Sequence, residues 1–115
     1  MQILTDAGSR FAERRAVPRY PLMAEIEVFE PLERAKLTAS ISEIGLHGCY
    51  IRMSSPLQQN TVIQLLIRKH GESFKSWGMV VYAHEGRGMG MEFFRPEPSQ
   101  VKILRGWITN LEVQL

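Results

Sequence analysis

Apolar and polar residues alternate in short runs through most of this chain, and each run stops at a cluster of glycine, proline or charged residues. Successive side chains of a strand point to opposite faces, so runs of this kind make half-buried strands rather than helices. Leu22, Ala24, Ile26 and Val28 share one face of the first run, with Glu25 and Glu27 opposite. Glu30-Pro31-Leu32-Glu33-Arg34 breaks it. Ala35, Leu37, Ala39 and Ile41 then resume against Lys36, Thr38 and Ser40, which predicts an antiparallel hairpin. Residues 42–48, SEIGLHG, carry two glycines and read as a turn. Further strands are expected over 49–53, 62–68, 74–83 and 89–94, with Gly78 a candidate bulge in the longest. Six short strands at roughly 8–12-residue spacing predict a small antiparallel barrel or sandwich. A barrel has the advantage of leaving no free edge.

The pattern changes at Pro96-Glu97-Pro98-Ser99. Val101, Leu104, Trp107, Ile108, Leu111 and Leu115 follow at helical spacing, an apolar stripe suited to lie on the sheet. Ser99 is the candidate N-cap, since its hydroxyl can accept an orphan backbone N–H. At the other end, Ile3, Leu4, Ala7 and Phe11 sit at helical spacing in a polar stretch, so residues 1–13 form a short helix or a flexible segment. Pro18 and Pro21 hold 16–21 extended or looped, because a proline disfavours helix in the residue before it. The expected class is all-β with a C-terminal helix.

The chain has 115 residues, which suits one domain. Its 44% apolar and 23% charged content excludes a disordered chain and a coiled coil. No run approaches the roughly 18 apolar residues of a membrane helix, and the N-terminus lacks the apolar core of a secretory signal. The single Cys49 excludes an internal disulfide and a cysteine-cluster metal site, and a reducing cytoplasm is the expected compartment. The net charge of +2 is local. Arg10, Arg14, Arg15 and Arg19 stand against only Asp6 and Glu13 in the first twenty residues, and the rest of the chain balances to zero. A polyanion binder carries a wider basic stripe, so nucleic acid is an unfavoured partner. The cluster suits a small anion, or is a solvated tail.

Enzyme chemistry finds little support. His47, His70 and His84 fall in separate expected turns, and none has a Cys, Asp or Glu at metal-ligand spacing. Cys49 lies mid-strand, where a buried structural thiol is expected rather than a nucleophile. Neither a nucleophile elbow nor a Walker loop is present. Gly86-Arg87-Gly88-Met89-Gly90 joins two expected strands, so no helix N-terminus meets a phosphate there. No catalytic residue, cofactor or metal is expected. The arginines say more. Arg15-Ala16-Val17-Pro18-Arg19 places two guanidinium groups on a proline-stiffened stretch. Each can pair bidentately with guanine O6 and N7 or with phosphate oxygens, and can stack on a flat ring. Arg10 and Arg14 share the same spacing, so spacing alone singles out neither pair.

In order along the chain, ERRAVPRYPL, then SISEIGLHGCYI, then WGMVVYAHEGRGMGMEFF resemble the PilZ domain family, over about residues 13–111. The resemblance implies a six-stranded antiparallel PilZ-type β-barrel with a C-terminal helix, occupying 14–115 after the 1–13 segment. It implies binding of cyclic di-GMP. The family's RxxxR motif corresponds to Arg15 and Arg19, and Arg14 matches a frequent extra basic residue. The family's second motif, [D/N]xSxxG, has two registers here. Glu43-x-Gly45-x-x-Gly48 is favoured, because a strand follows directly after Gly48. Ser40-x-Ser42-x-x-Gly45 is the alternative. In the favoured register Glu43 stands for Asp or Asn and Gly45 for Ser, and losing the serine donor costs on the order of 1 kcal/mol. Restoring the pattern with Glu43→Asp plus Gly45→Ser is expected to tighten binding, whereas Ser40→Asp would do so in the other register. Tyr82 matches a position where some members face the ligand with an aromatic ring; otherwise it is a core or rim tyrosine.

Three readings follow. The first is a receptor whose arginine loop closes on cyclic di-GMP and changes contact with a partner protein. The second is a PilZ-fold adaptor that binds only proteins, and the third is an OB-like barrel for single-stranded nucleic acid. No fused enzymatic domain is expected, so a regulatory output passes through a partner in motility, polysaccharide or transcription machinery. Residues 1–13 and the helix face around Lys102, Arg105 and Trp107 are the candidate contact surfaces, with Trp107 read first as core.

Overall fold

The computed structural model describes residues 17–114. The strands are β1 (Arg19–Glu30), β2 (Ala35–Gly45), β3 (Gly48–Arg52), β4 (Val62–Lys69), β5 (Glu72–His84) and β6 (Gly88–Phe94), followed by helix α1 (Pro98–Gln114). They close into a barrel in the order β1-β2-β3-β6-β5-β4, with every neighbouring pair antiparallel. Pairing β1 with β4 closes the sheet and satisfies both would-be edges. The expected 1–13 segment, Arg14, Arg15 and Leu115 lie outside the described residues.

The alternating faces fill the interior. Ile26 and Val28 of β1, Ile41 of β2, Ile51 of β3 and Ile63 and Ile67 of β4 are fully buried, and Phe74, Val80, Met89 and Met91 complete the core from β5 and β6. Each such side chain stabilises the fold by roughly 1.5–3 kcal/mol. An exposed ion pair contributes about 0–1 kcal/mol, so the interior decides the fold. The β4–β5 hairpin turns through His70 (φ 53°) and Gly71 (φ 76°), the two left-handed residues whose twist matches that of the flanking strands. The β1–β2 turn is held by the buried carboxylate of Glu30, which accepts from the backbone N–H of Leu32 at 2.9 Å and of Glu33 at 2.5 Å.

Helix α1 packs its buried Leu104, Trp107 and Ile108 against the barrel. The Trp107 indole N–H donates to Glu72 Oε1 at 3.0 Å, and its ring meets Phe74 edge-on at 6.5 Å. Tyr20 of β1 donates its hydroxyl to Glu112 Oε2 at 2.9 Å, tying the far end of the helix down.

The structure corrects three local expectations. Residues 42–45 belong to β2, and only Leu46 and His47 lie between β2 and β3. A register shift against β3 between Ile41 and Glu43 lets Ile41 and Ile44, three residues apart, both face the core. That shift breaks the period of two, which is why the segment resembles a turn in sequence. Gly78 is not a bulge, since it pairs regularly with Ile63 and Phe93. A Cβ there would come within 2.9 Å of Leu65 Cδ2 and 3.2 Å of Met91 Cε, so glycine makes room for the core. Helix α1 starts before Ser99: the Glu97 carbonyl accepts from Gln100 and Val101, at 2.9 and 3.0 Å, and Pro98 is the first helical residue. Proline suits that position because its φ is already helical and its missing N–H would be unpaired there anyway.

Candidate ligand groove

Arg19 opens β1 and pairs in register with Gly45, while Pro21 pairs with Glu43. This antiparallel register carries the Arg19 guanidinium toward Glu43, with Nη1 3.7 Å from Oε1. The Arg19 side chain is 26% exposed and that of Glu43 52%, so the pair is loose and water-screened. Two glycines make the space Arg19 uses. A Cβ on Gly45 would lie 2.7 Å from the Pro18 carbonyl oxygen and 3.4 Å from Arg19 Cγ. A Cβ on Gly48 would lie 2.0 Å from the Met91 carbonyl oxygen and 3.3 Å from Arg19 Nη2. The next residue, Cys49, is fully buried. Burial pushes its thiol up to about 12 against the opposing pull of the Arg19 charge, so it stays protonated and inert at neutral pH.

The opposite wall comes from β5. Its register against β6 shifts between Val80 and Tyr82, leaving Val81 as an extra residue. Bulges of this kind re-aim the side chains beside them. Here the Tyr82 ring lies over Gly90, where a Cβ would be 2.4 Å from ring carbons. Tyr82, Tyr50 and His84 form a cluster, with centroids 6.2 Å apart for Tyr50–Tyr82, 6.1 Å for Tyr50–His84 and 5.0 Å for Tyr82–His84. The Tyr50 hydroxyl is 3.3 Å from His84 Nδ1.

Between these walls lies a groove of about 710 Å³, lined by Arg19, Glu43, Gly45, His47, Tyr82 and His84 among others. That volume suits a small organic ligand, whose sites span roughly 300–1,000 Å³. A guanidinium, a carboxylate and an aromatic face converge on it, which suits an anion carrying flat hydrogen-bonding rings.

Of the residues expected from sequence, Arg19, Glu43, Gly45 and Tyr82 line this groove, and Gly48 lies against the Arg19 guanidinium. Ser40 is exposed at mid-strand, paired in register with Glu25 and Arg52, and does not line it. Ser42 lines a neighbouring groove. Sequence reading missed His47 and His84 as groove residues. His47 is fixed because its carbonyl accepts from Phe93 N–H at 2.9 Å, and His84 is the last residue of β5 rather than part of a turn. The adjacent Val80-Val81 pair was the available signal, since two neighbouring apolar residues break the alternation where the strand bulges. Among the described residues no group of three or more His, Cys, Asp or Glu could hold a metal ion, and no helix is long and apolar enough to cross a membrane.

A closed six-stranded antiparallel barrel with one C-terminal helix is the architecture of PilZ domains. This chain belongs to the PilZ domain family, which it matches over residues 13–110. No curated protein matches it by sequence. Among solved structures it is similar to the PilZ domain of Escherichia coli YcgR, determined with c-di-GMP, with TM-score 0.73 and 14% identity over 88% of this chain and 93% of that one. The PilZ domain of CeSA from a cellulose-synthesizing bacterium gives TM-score 0.65 and 20% identity over 83% of this chain and 98% of that one. The Bacillus subtilis inhibitor of motility MotI/DgrA gives TM-score 0.71 and 14% identity over 88% of this chain. This chain spans about half of it, 52%. At these identities the likeness is one of fold.

Proposed function

We propose that this chain is a cyclic di-GMP-binding regulatory domain rather than an enzyme, acting in the cytoplasm. The observation that carries the reading is the Arg19 guanidinium, laid against Gly48 and loosely paired with Glu43 at a groove walled by Tyr82. A loose pair is easily exchanged for a stronger one. Arg19 can leave Glu43 for a phosphate or a guanine edge, while Tyr82 offers a ring face. Arg15 and Arg14, just upstream of Val17 at the groove, supply the remaining guanidinium groups. Glu43, Gly45 and Gly48 act as the second motif, and this register is supported by the contacts that Glu43 and Gly48 make with Arg19. Closure of the arginine segment over the ligand changes the surface offered to a partner protein. The YcgR PilZ domain with c-di-GMP and the motility inhibitor MotI lend support as relatives in fold.

Titration calorimetry at physiological salt tests this. Micromolar or tighter binding of cyclic di-GMP, lost in Arg19→Ala and Arg15→Ala with the barrel still folded, is the expected result. Unchanged affinity in both variants refutes the site. A second reading, a protein-binding adaptor, is favoured by Gly45 standing where the family motif has serine. Absence of both heat and thermal shift at saturating ligand would select it.

A further inference from the structure

Barrel closure leaves one stretch of strand open. β3 ends at Arg52, opposite Ser40, while β2 begins earlier, at Ala35. Residues 35–39 of β2 pair with residues 26–30 of β1 on one side. Among the described residues no strand, and no other backbone hydrogen bond, meets them on the other. In an antiparallel strand every second residue directs its N–H and C=O to the same side, so this edge presents unpaired donors and acceptors to solvent. The edge is held in place. Behind it, residues 26–29 of β1 pair with β4, and the Glu30 carboxylate fixes the turn that leads into β2. Ala35, Leu37 and Ala39 are half-buried, whereas Lys36 and Thr38, on the opposite face, are exposed.

The open stretch reads Ala-Lys-Leu-Thr-Ala, which is small, polar, large, polar, small in either direction. An antiparallel copy of itself centred on Leu37 therefore matches every rung. Leu37 stands opposite the second copy's Leu37, Ala35 opposite its Ala39, and Lys36 opposite its Thr38. No like charges face each other directly, the arrangement that destabilises cross-strand pairs. A lysine on an edge ordinarily deters pairing. Here its ammonium is drawn to the neighbouring strand, with Lys36 Nζ 3.3 Å from Glu27 Oε1. The described chain begins at Val17, beside the Arg19–Gly45 rung, at the far end of the β1–β2 pair from the open stretch, which argues against the chain's own N-terminus as occupant. We propose that this edge joins two copies of the chain, β2 to β2, in one sheet continuous through both barrels. The interface is isologous, as a two-fold dimer demands. The groove residues Glu43 and Gly45 lie outside the paired stretch, so both ligand grooves stay free. So few rungs make a small interface, which suits a weak, concentration-dependent dimer.

Sedimentation of the full chain from about 10 μM to about 1 mM tests this, and a monomer–dimer equilibrium within that range is expected. Thr38→Lys is the deciding variant. In the monomer the new lysine faces Glu27, its register partner on β1, so the melting temperature should not fall. In the dimer it stands opposite the second copy's Lys36, and two-fold symmetry repeats the clash, so association should weaken about tenfold. Under mild oxidation Leu37→Cys should give a covalent dimer much faster than Met23→Cys, at an exposed position of β1 outside the edge; the native Cys49 is fully buried. Arg19→Ala should leave self-association unchanged. A chain that stays monomeric throughout, a dimer that Thr38→Lys does not weaken, cross-linking no faster at position 37 than at 23, or a dimer lost in Arg19→Ala would each overturn the proposal. Failure of cyclic di-GMP to bind is a separate result, which bears on the groove alone.

Discussion

Gly45→Ser is the perturbation on which sequence and structure disagree most sharply. By family pattern it restores a missing ligand contact and should tighten binding. In the fold, the new Cβ would sit 2.7 Å from the Pro18 carbonyl oxygen, well inside the 3.4 Å at which ordinary contact begins. That oxygen is backbone and cannot rotate aside, so the start of β1 must shift and take Arg19 with it. Overpacking of this kind costs roughly 1–3 kcal/mol, a fall of roughly 5–15 °C in melting temperature for a domain of this size. The loose Arg19–Glu43 pair adds little to that loss. Misplacing one charge-assisted contact weakens ligand binding about tenfold or more. Thermal melts and calorimetry with cyclic di-GMP read the two effects separately. A variant that melts like the wild type and binds more tightly would refute the argument and show that Pro18 yields freely.

Gly106→Ala provides the opposite case: nothing lies within 4 Å of the added Cβ and the site is mid-helix, so melts should show a gain of about 0.5–1 kcal/mol. Glu27 is held below its ordinary value of 4.5 by its hydrogen bond to Arg68 first and to Lys36 second. Its contribution is therefore complete above that value and is lost as pH falls through the lower folded one. Glu27→Gln should flatten the acid limb of a plot of melting temperature against pH, and an unchanged limb would refute the pairing. Cys49, with its thiol pushed up to about 12, should resist a disulfide reagent in the native protein and react promptly in denaturant; fast native labelling would contradict its burial.

Most of the barrel was legible because burial enforces a period of two. Ile26 and Val28 announced their shared face in sequence, and the structure buries both. Trp107 likewise declared itself core by its place in the helical stripe. Where a bulge interrupts the period, as at Ser42 and Val81, the pattern loses phase, and there the reading of the sequence failed or fell silent. Val81 lines the groove and Ser42 directly precedes the groove residue Glu43, as expected of devices that re-aim side chains. The PilZ motifs directed attention to Arg19, Glu43, Gly45, Gly48 and Tyr82, and the register favoured for the second motif rested on the strand that follows Gly48.

The sequence by itself determined the strand succession, the terminal helix and the family, because these rest on local periodicity and on residue types at short spacing. Only the tertiary structure brought His47 and His84 to the groove and put the Pro18 carbonyl in the space a serine at position 45 would need. Those juxtapositions arise from strand register and barrel closure, which join residues tens of positions apart through backbone hydrogen bonds, and no local pattern in the chain encodes them.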